Sequence, residues 1–161
     1  MSKICLPEQF KNVMLLAPQA DGALTSDYVC LKNATGKAWI LVTMAQANAA
    51  QCTITLGQAS AVDGTGAKAL SGNAEIWYNA DLATADTLTR GTAAKTYQFS
   101  ATTKNKKVWF QLDLANCLDL ANEFDCIYCT SGGSDVTNIL SAELFFESRY
   151  QEDVLPAAIT D

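Results

Sequence analysis

The sequence predicts an all-β fold: a single-domain antiparallel β-sandwich, jelly-roll-like, with about eight strands and extended terminal arms. Two observations carry that expectation. Short runs rich in β-branched and aromatic residues recur along the chain, each bounded by Gly, Asn, Asp or Ser. No helical period of roughly ten or more residues alternates with them, which disfavours a parallel α/β arrangement.

The runs can be taken in order. Tyr28–Leu31 precedes the turn cluster Asn33–Gly36, and Lys37–Met44 (KAWILVTM) is apolar on both faces, as a central strand is. Cys52–Leu56 alternates, with Cys52, Ile54 and Leu56 on one face and Thr53 and Thr55 on the other. Glu75–Tyr78 and Thr96–Phe99 are shorter. Val108–Leu112 follows KNKK (Lys104–Lys107), read as a solvated hairpin turn, and Phe124–Thr130 follows a polar stretch. SGGS (Ser131–Ser134) reads as a loop joining antiparallel neighbours. Ile139–Tyr150 sets Ala142, Leu144 and Phe146 against Glu143, Phe145 and Glu147. Helical signals are confined to two places. Pro7–Leu16, with Pro7 at the first position and Glu8 at the positive end of the dipole, predicts one or two turns, and Leu114–Ala121 predicts another.

At 161 residues the chain fits one domain, read as an N-terminal extension (1–20), a β-sandwich body (21–150) and a C-terminal arm (151–161). A domain of this size buries roughly 70% of its unfolded surface and needs no disulfide or metal staple. The formal charge of −6 argues against a nucleic-acid partner. No apolar run approaches a membrane span, and no signal peptide is read at the N-terminus. The six cysteines are therefore read as reduced thiols of a cytosolic protein. Cys126 and Cys129 spell CxxC, but on a strand their sulfurs point to opposite faces. With no histidine in the chain, metal and redox chemistry are set below buried structural thiols, and no cofactor is expected.

Catalytic patterns are equally sparse. AVDGTGAKAL (Ala61–Leu70) resembles a phosphate-binding loop only in its glycines. Lys68 does not directly follow Gly66, no hydroxyl follows the lysine, and a second turn comes next, so the stretch reads as a loop between strands. Asp81 with Asp86, or Asp119 with Glu123 and Asp125, are acids that loops bring near one another, and solvated carboxylates are the bland reading. Trp39, Trp77 and Trp109 lie in β runs and suggest either packing or a sugar-binding platform. No nucleophile–base pair can be named, so no enzymatic activity is expected.

Four quoted segments carry a resemblance over most of the chain: LPEQFKNVMLLAP, AQCTITLGQASAVDGTGAKAL, EIWYNADLATADTLTR, and the long stretch from KNKKVWFQLDL to VLPAAITD. Together they resemble small virion proteins encoded near the major capsid protein of tailed bacteriophages. The resemblance implies a cement or decoration protein on the capsid surface, made in the host bacterial cytoplasm. It implies the major capsid protein as partner, self-association on the particle, and no nucleic-acid or membrane partner. A tail-tube or head–tail joining protein and a surface carbohydrate-binding module are the alternatives. The residues expected to grip neighbours are Leu6, Pro7, Phe10, Val154, Leu155, Pro156 and Ile159. The competing reading has Leu6 and Phe10 cap the open end of the core. Removing residues 151–161 is expected to leave the body folded, by circular dichroism and thermal melting, while abolishing attachment to capsids.

Overall fold

The structure, a computed structural model, describes residues 9–149 and 158–159. Eleven strands build it among the described residues: β1 (Phe10–Ala20), β2 (Val29–Cys30), β3 (Ala34–Ala45), β4 (Cys52–Ala59), β5 (Lys68–Ala69), β6 (Glu75–Asn79), β7 (Thr89–Arg90), β8 (Thr96–Phe99), β9 (Asn105–Asp113), β10 (Cys126–Ser131) and β11 (Ile139–Ser148). The expected count of about eight omitted β1, β5 and β7. β5 and β7 are two residues long, too short to show a period of two.

The strands form two antiparallel sheets, β1-β11-β3-β9-β6-β7 and β2-β10-β4-β5, with β8 also paired to β4. The pairing is nested. β1 lies against β11, β2 against β10, β3 against β9 and β4 against β8. This is one long antiparallel hairpin wound into a sandwich, the jelly-roll path, with β5–β7 inserted between β4 and β8. Most successive strands therefore sit in opposite sheets. That corrects two readings of the sequence. SGGS does not join neighbouring strands but carries the chain from β10 in one sheet to β11 in the other. KNKK is not a hairpin turn: Asn105 begins β9, and the inward-pointing Lys106 is 1% exposed.

Of the predicted helix over Pro7–Leu16, only Gln9 is helical among the described residues. Phe10–Ala20 is an edge strand of the larger sheet, so the sandwich begins inside the stretch set apart as an extension. A register shift between Met14 and Leu16 buries both Leu15 and Leu16, and this bulge hides the alternation. Pairing with β11 outweighs the local helix-start signals. The second helical prediction matches a single turn, α1 (Leu114–Cys117), followed by a 3-10 turn at Leu120–Asn122.

The inner faces interlock. Ala38, Ile40, Val42 and Met44 of β3, all 0% exposed, share one buried cluster with Val29, Ile54, Leu56 and Ile127 of the smaller sheet and with Phe99 and Phe110. β3 is central, flanked by β11 and β9, as its two apolar faces predicted. One end of the sandwich is closed by buried polar groups. The Asp21 carboxylate accepts hydrogen bonds from the hydroxyls of Ser131 and, at 2.6 Å, Ser134. Lys106 Nζ donates to Gln46 Oε1 (2.5 Å) and to the carbonyls of Ser100 (2.6 Å) and Thr102 (2.8 Å). Burial lowers the Lys106 pKa, with the nearby Lys104 charge acting in the same direction.

Two outcomes are expected. Asp21→Ala leaves Ser131 and Ser134 without their acceptor and should cost about 2–3 kcal/mol in urea unfolding. Gly57→Ala would set a Cβ 2.3 Å from the Tyr128 ring. That substitution should cost about 1–3 kcal/mol and change the near-ultraviolet circular dichroism of the tyrosines.

Candidate interaction surface

Alternation along the strands of the larger sheet places a second set of large side chains on its outer face. Trp39 and Leu41 (β3), Trp109 (β9), Phe145 (β11), Trp77 (β6) and Phe10 (β1) are all half-buried there, away from the inter-sheet core. Register brings them together. Phe145 lies opposite Trp39, while Trp109 lies between Leu41 and Trp77. Phe10 meets Trp39 edge-on with ring centres 5.8 Å apart, and Trp109 and Phe145 make a tilted pair at the same spacing. The three tryptophans are thus neither core residues nor isolated. They form a band across the sheet.

Polar groups frame the band. Trp39 Nε1 donates to Gln111 Oε1 at 3.3 Å, Asn12 donates to Glu143 at 3.0 Å, and Thr35 donates to Glu147 at 2.8 Å. Arg90 pairs with Glu75 at 2.5 Å and lies 5.7 Å from the Trp77 ring. Met14, on the outer face of β1, is 49% exposed, and Ile139, at the start of β11, is 40% exposed. An apolar, aromatic centre within a polar rim is the anatomy of a protein interface.

Of the residues expected to grip a partner, Phe10 belongs to this band. Ile159 is 48% exposed, on a different part of the molecule beside Ser26, Tyr28 and Val62. Its neighbour Ala158 is buried, and the Ala158 carbonyl accepts a hydrogen bond from the Cys30 amide at 2.8 Å. The C-terminal segment is therefore fastened to the smaller sheet at that point. Leu6, Pro7, Val154, Leu155 and Pro156 lie outside the described residues.

Of the stretch Ala61–Leu70, read from the sequence as a loop, Lys68–Ala69 is the short strand β5 paired with β4, while the turn before it spends its backbone locally. Gly64 N donates to Ala61 O, Ala67 N to Gly64 O and Ser60 N to Thr65 O. Gly64 has φ +84°, and a Cβ there would meet Tyr28 at 2.7 Å. The glycine lets the loop fold against Tyr28, whose ring makes a tilted pair with Tyr128, the centres 4.6 Å apart. Lys68 donates to Asp119 at 2.8 Å and lies 3.5 Å from the centre of the Phe124 ring. Its ammonium faces an acid and a ring, not a phosphate cradle.

Two of the acids singled out in the sequence, Asp81 and Asp119, are held by lysines. Asp81 accepts from Lys104 at 2.6 Å, and Lys104 lowers its pKa. Lys68, then Asn122, does the same for Asp119. The described cysteines are all thiols. Cys129 lies in the core, where burial pushes its pKa up to about 12, and Cys126 lies on the opposite face beside Cys30. A groove between the sheet margins is lined by Tyr78, Arg90, Tyr97 and Gln98. Burial, with Tyr78 nearby, raises the Tyr97 pKa to about 12.

No protein-family model matches the chain, and no curated protein matches it. Among solved structures, the SPBc2 prophage-derived protein YomS aligns over 86% of this chain and 93% of its own, with 9% identity and a TM-score of 0.46. A putative sugar binding protein from Bacteroides thetaiotaomicron aligns over 86% and 67%, with 9% identity and a TM-score of 0.24.

The aromatic band distinguishes surface from core in a measurable way. Phe145→Ala should cost about 1 kcal/mol or less, the scale of a cross-strand pair. Phe110→Ala, one residue from Trp109 but fully buried, should cost about 3–5 kcal/mol. Similar losses at the two positions, measured by denaturant unfolding, would place Phe145 in a core rather than on a face.

Proposed function

We propose that this chain is a non-enzymatic structural protein of a tailed-bacteriophage particle, bound to the capsid shell as a cement or decoration protein. The observation that carries the reading is the band Phe10–Trp39–Phe145–Trp109 on the outer face of the larger sheet. Aromatic side chains dominate the energetics of protein interfaces, and large rings held by a rigid sheet lose little side-chain entropy on contact. The jelly-roll body supplies that rigidity. The sequence resemblance to virion proteins supplies the partner, the major capsid protein. A protein that touches several shell subunits gains avidity from multivalency, so each single contact needs only modest strength.

The terminal segments remain part of this proposal as arms. Because Ala158 packs against the protein's own core, point variants test the interface more cleanly than truncation does. The band also favours a second reading, a surface carbohydrate-binding module, since aromatic rings on a sheet face stack on sugar rings. Soluble oligosaccharides that quench tryptophan fluorescence in the intact protein, but not in Trp109→Ala, would favour that reading.

Purified particles assayed by quantitative mass spectrometry are expected to contain hundreds of copies, in simple ratio to the major capsid protein. A dozen copies would point to the head–tail joint or tail instead, and absence would reject a virion role. Trp109→Ala and Phe145→Ala proteins, folded by circular dichroism, should bind isolated shells at least about tenfold more weakly than the unaltered chain, the loss of one interface hot spot. Undiminished binding by both would remove the outer face from the interface.

A further inference from the structure

The outer side of the smaller sheet holds a donor cluster that is scattered in the sequence. Cys30 on β2 lies directly opposite Cys126 on β10, and Asp125 precedes Cys126. The two sulfurs and a carboxylate oxygen all lie within 4.8 Å of one another, and the Cys126 thiol donates to Asp125 Oδ1 at 3.5 Å. The backbone explains the proximity. Leu31 N donates to Asp125 O at 2.8 Å, so the 31/125 pair is the hydrogen-bonded one. The adjacent 30/126 pair is then of the non-hydrogen-bonded kind, in which facing side chains come closest. The Cys30 amide, turned away from β10, donates instead to Ala158 O.

We propose that Cys30, Cys126 and Asp125 form a binding site for a borderline-soft divalent cation, with zinc as its occupant and water completing the coordination. Two thiolates select such an ion over calcium or magnesium, and one carboxylate is compatible with it. A tetrahedral ion with Zn–S near 2.3 Å holds two sulfurs roughly 3.8 Å apart. That spacing lies within the 4.8 Å limit of the cluster, so side-chain rotation suffices to form the site. Cys126 is buried while Cys30 and Asp125 are half-buried, so the site has a closed back and an approach from solvent. Binding releases the two thiol protons to water and leaves the carboxylate as the third ligand. No other grouping of three such donors occurs among the described residues.

The consequence is mechanical. β2 is only two residues long and sits at a sheet edge, where it also receives the C-terminal segment. An ion bridging Cys30 and Cys126 clips that strand to β10 beneath the point where Ala158 is fastened.

The test is titration of the reduced, metal-free full chain with cobalt(II), followed by displacement with zinc. One equivalent should give a sulfur-to-cobalt charge-transfer band that zinc removes. The band should be lost in Cys30→Ser and Cys126→Ser, weakened in Asp125→Asn, and retained in Cys117→Ala. Zinc should also raise the melting temperature of the unaltered chain and leave both serine variants unmoved. No band at stoichiometric cobalt, or a band that survives both serine substitutions, would overturn the proposal. So would a Cys30–Cys126 disulfide that forms in air equally fast with and without zinc.

Discussion

β3 has to be buried on its inner face and hydrogen-bonded along both edges, and the remaining strands are arranged around that requirement. Its inner residues Ala38, Ile40, Val42 and Met44 are fully excluded from water, and its edges are taken by β9 and β11. Both neighbours come from the second half of the chain. The first half must therefore wait for residues 60 to 114 positions away, and the nested pairing extends this to β1 with β11 and β2 with β10. Contacts this distant in sequence carry a loop-closure cost before they are rewarded, as is usual for sandwich folds. The stabilising term is the shared inter-sheet core rather than any single hairpin.

The same winding leaves many chain crossings at the ends of the sandwich, where backbone and side-chain polar groups are removed from water. Asp21 and Lys106 sit there, each surrounded by partners of the opposite hydrogen-bonding sense. Among the described residues no buried side-chain nitrogen or oxygen is left without a partner. The low-dielectric interior strengthens these contacts and makes each costly to lose. Lys106 is the clearest case: four lysine-rich positions read as a solvent-facing turn, yet strand alternation turns one of them inward to tie together the β3–β4 and β8–β9 connections.

The outer faces are where the two sheets differ. The smaller sheet is partly covered by its own loop, with Gly57 and Gly64 admitting the paired rings of Tyr128 and Tyr28. The larger sheet keeps its aromatic band half-open. Its rings bury part of one another's surface and leave the remaining apolar area open on that face. At the loops, Lys68 and Lys104 are paired with Asp119 and Asp81.

Alternation, turn residues and the missing helical period were enough to determine the all-β class, the central position of Lys37–Met44 and the inward faces of Cys52–Leu56 and Ile139–Ser148. These are local signals with a period of two, and burial on one face writes them directly into the residues. Tertiary structure decided the rest. It made Phe10–Ala20 a strand, because pairing with β11 outweighed the local start signals and a bulge concealed the alternation. It put Trp39, Trp77 and Trp109 on one outer face, since the tryptophans come from three strands whose register no local pattern records. It set Cys30 beside Cys126 rather than pairing Cys126 with Cys129, because neighbours across a ladder are chosen by strand order while residues three apart on one strand face opposite ways.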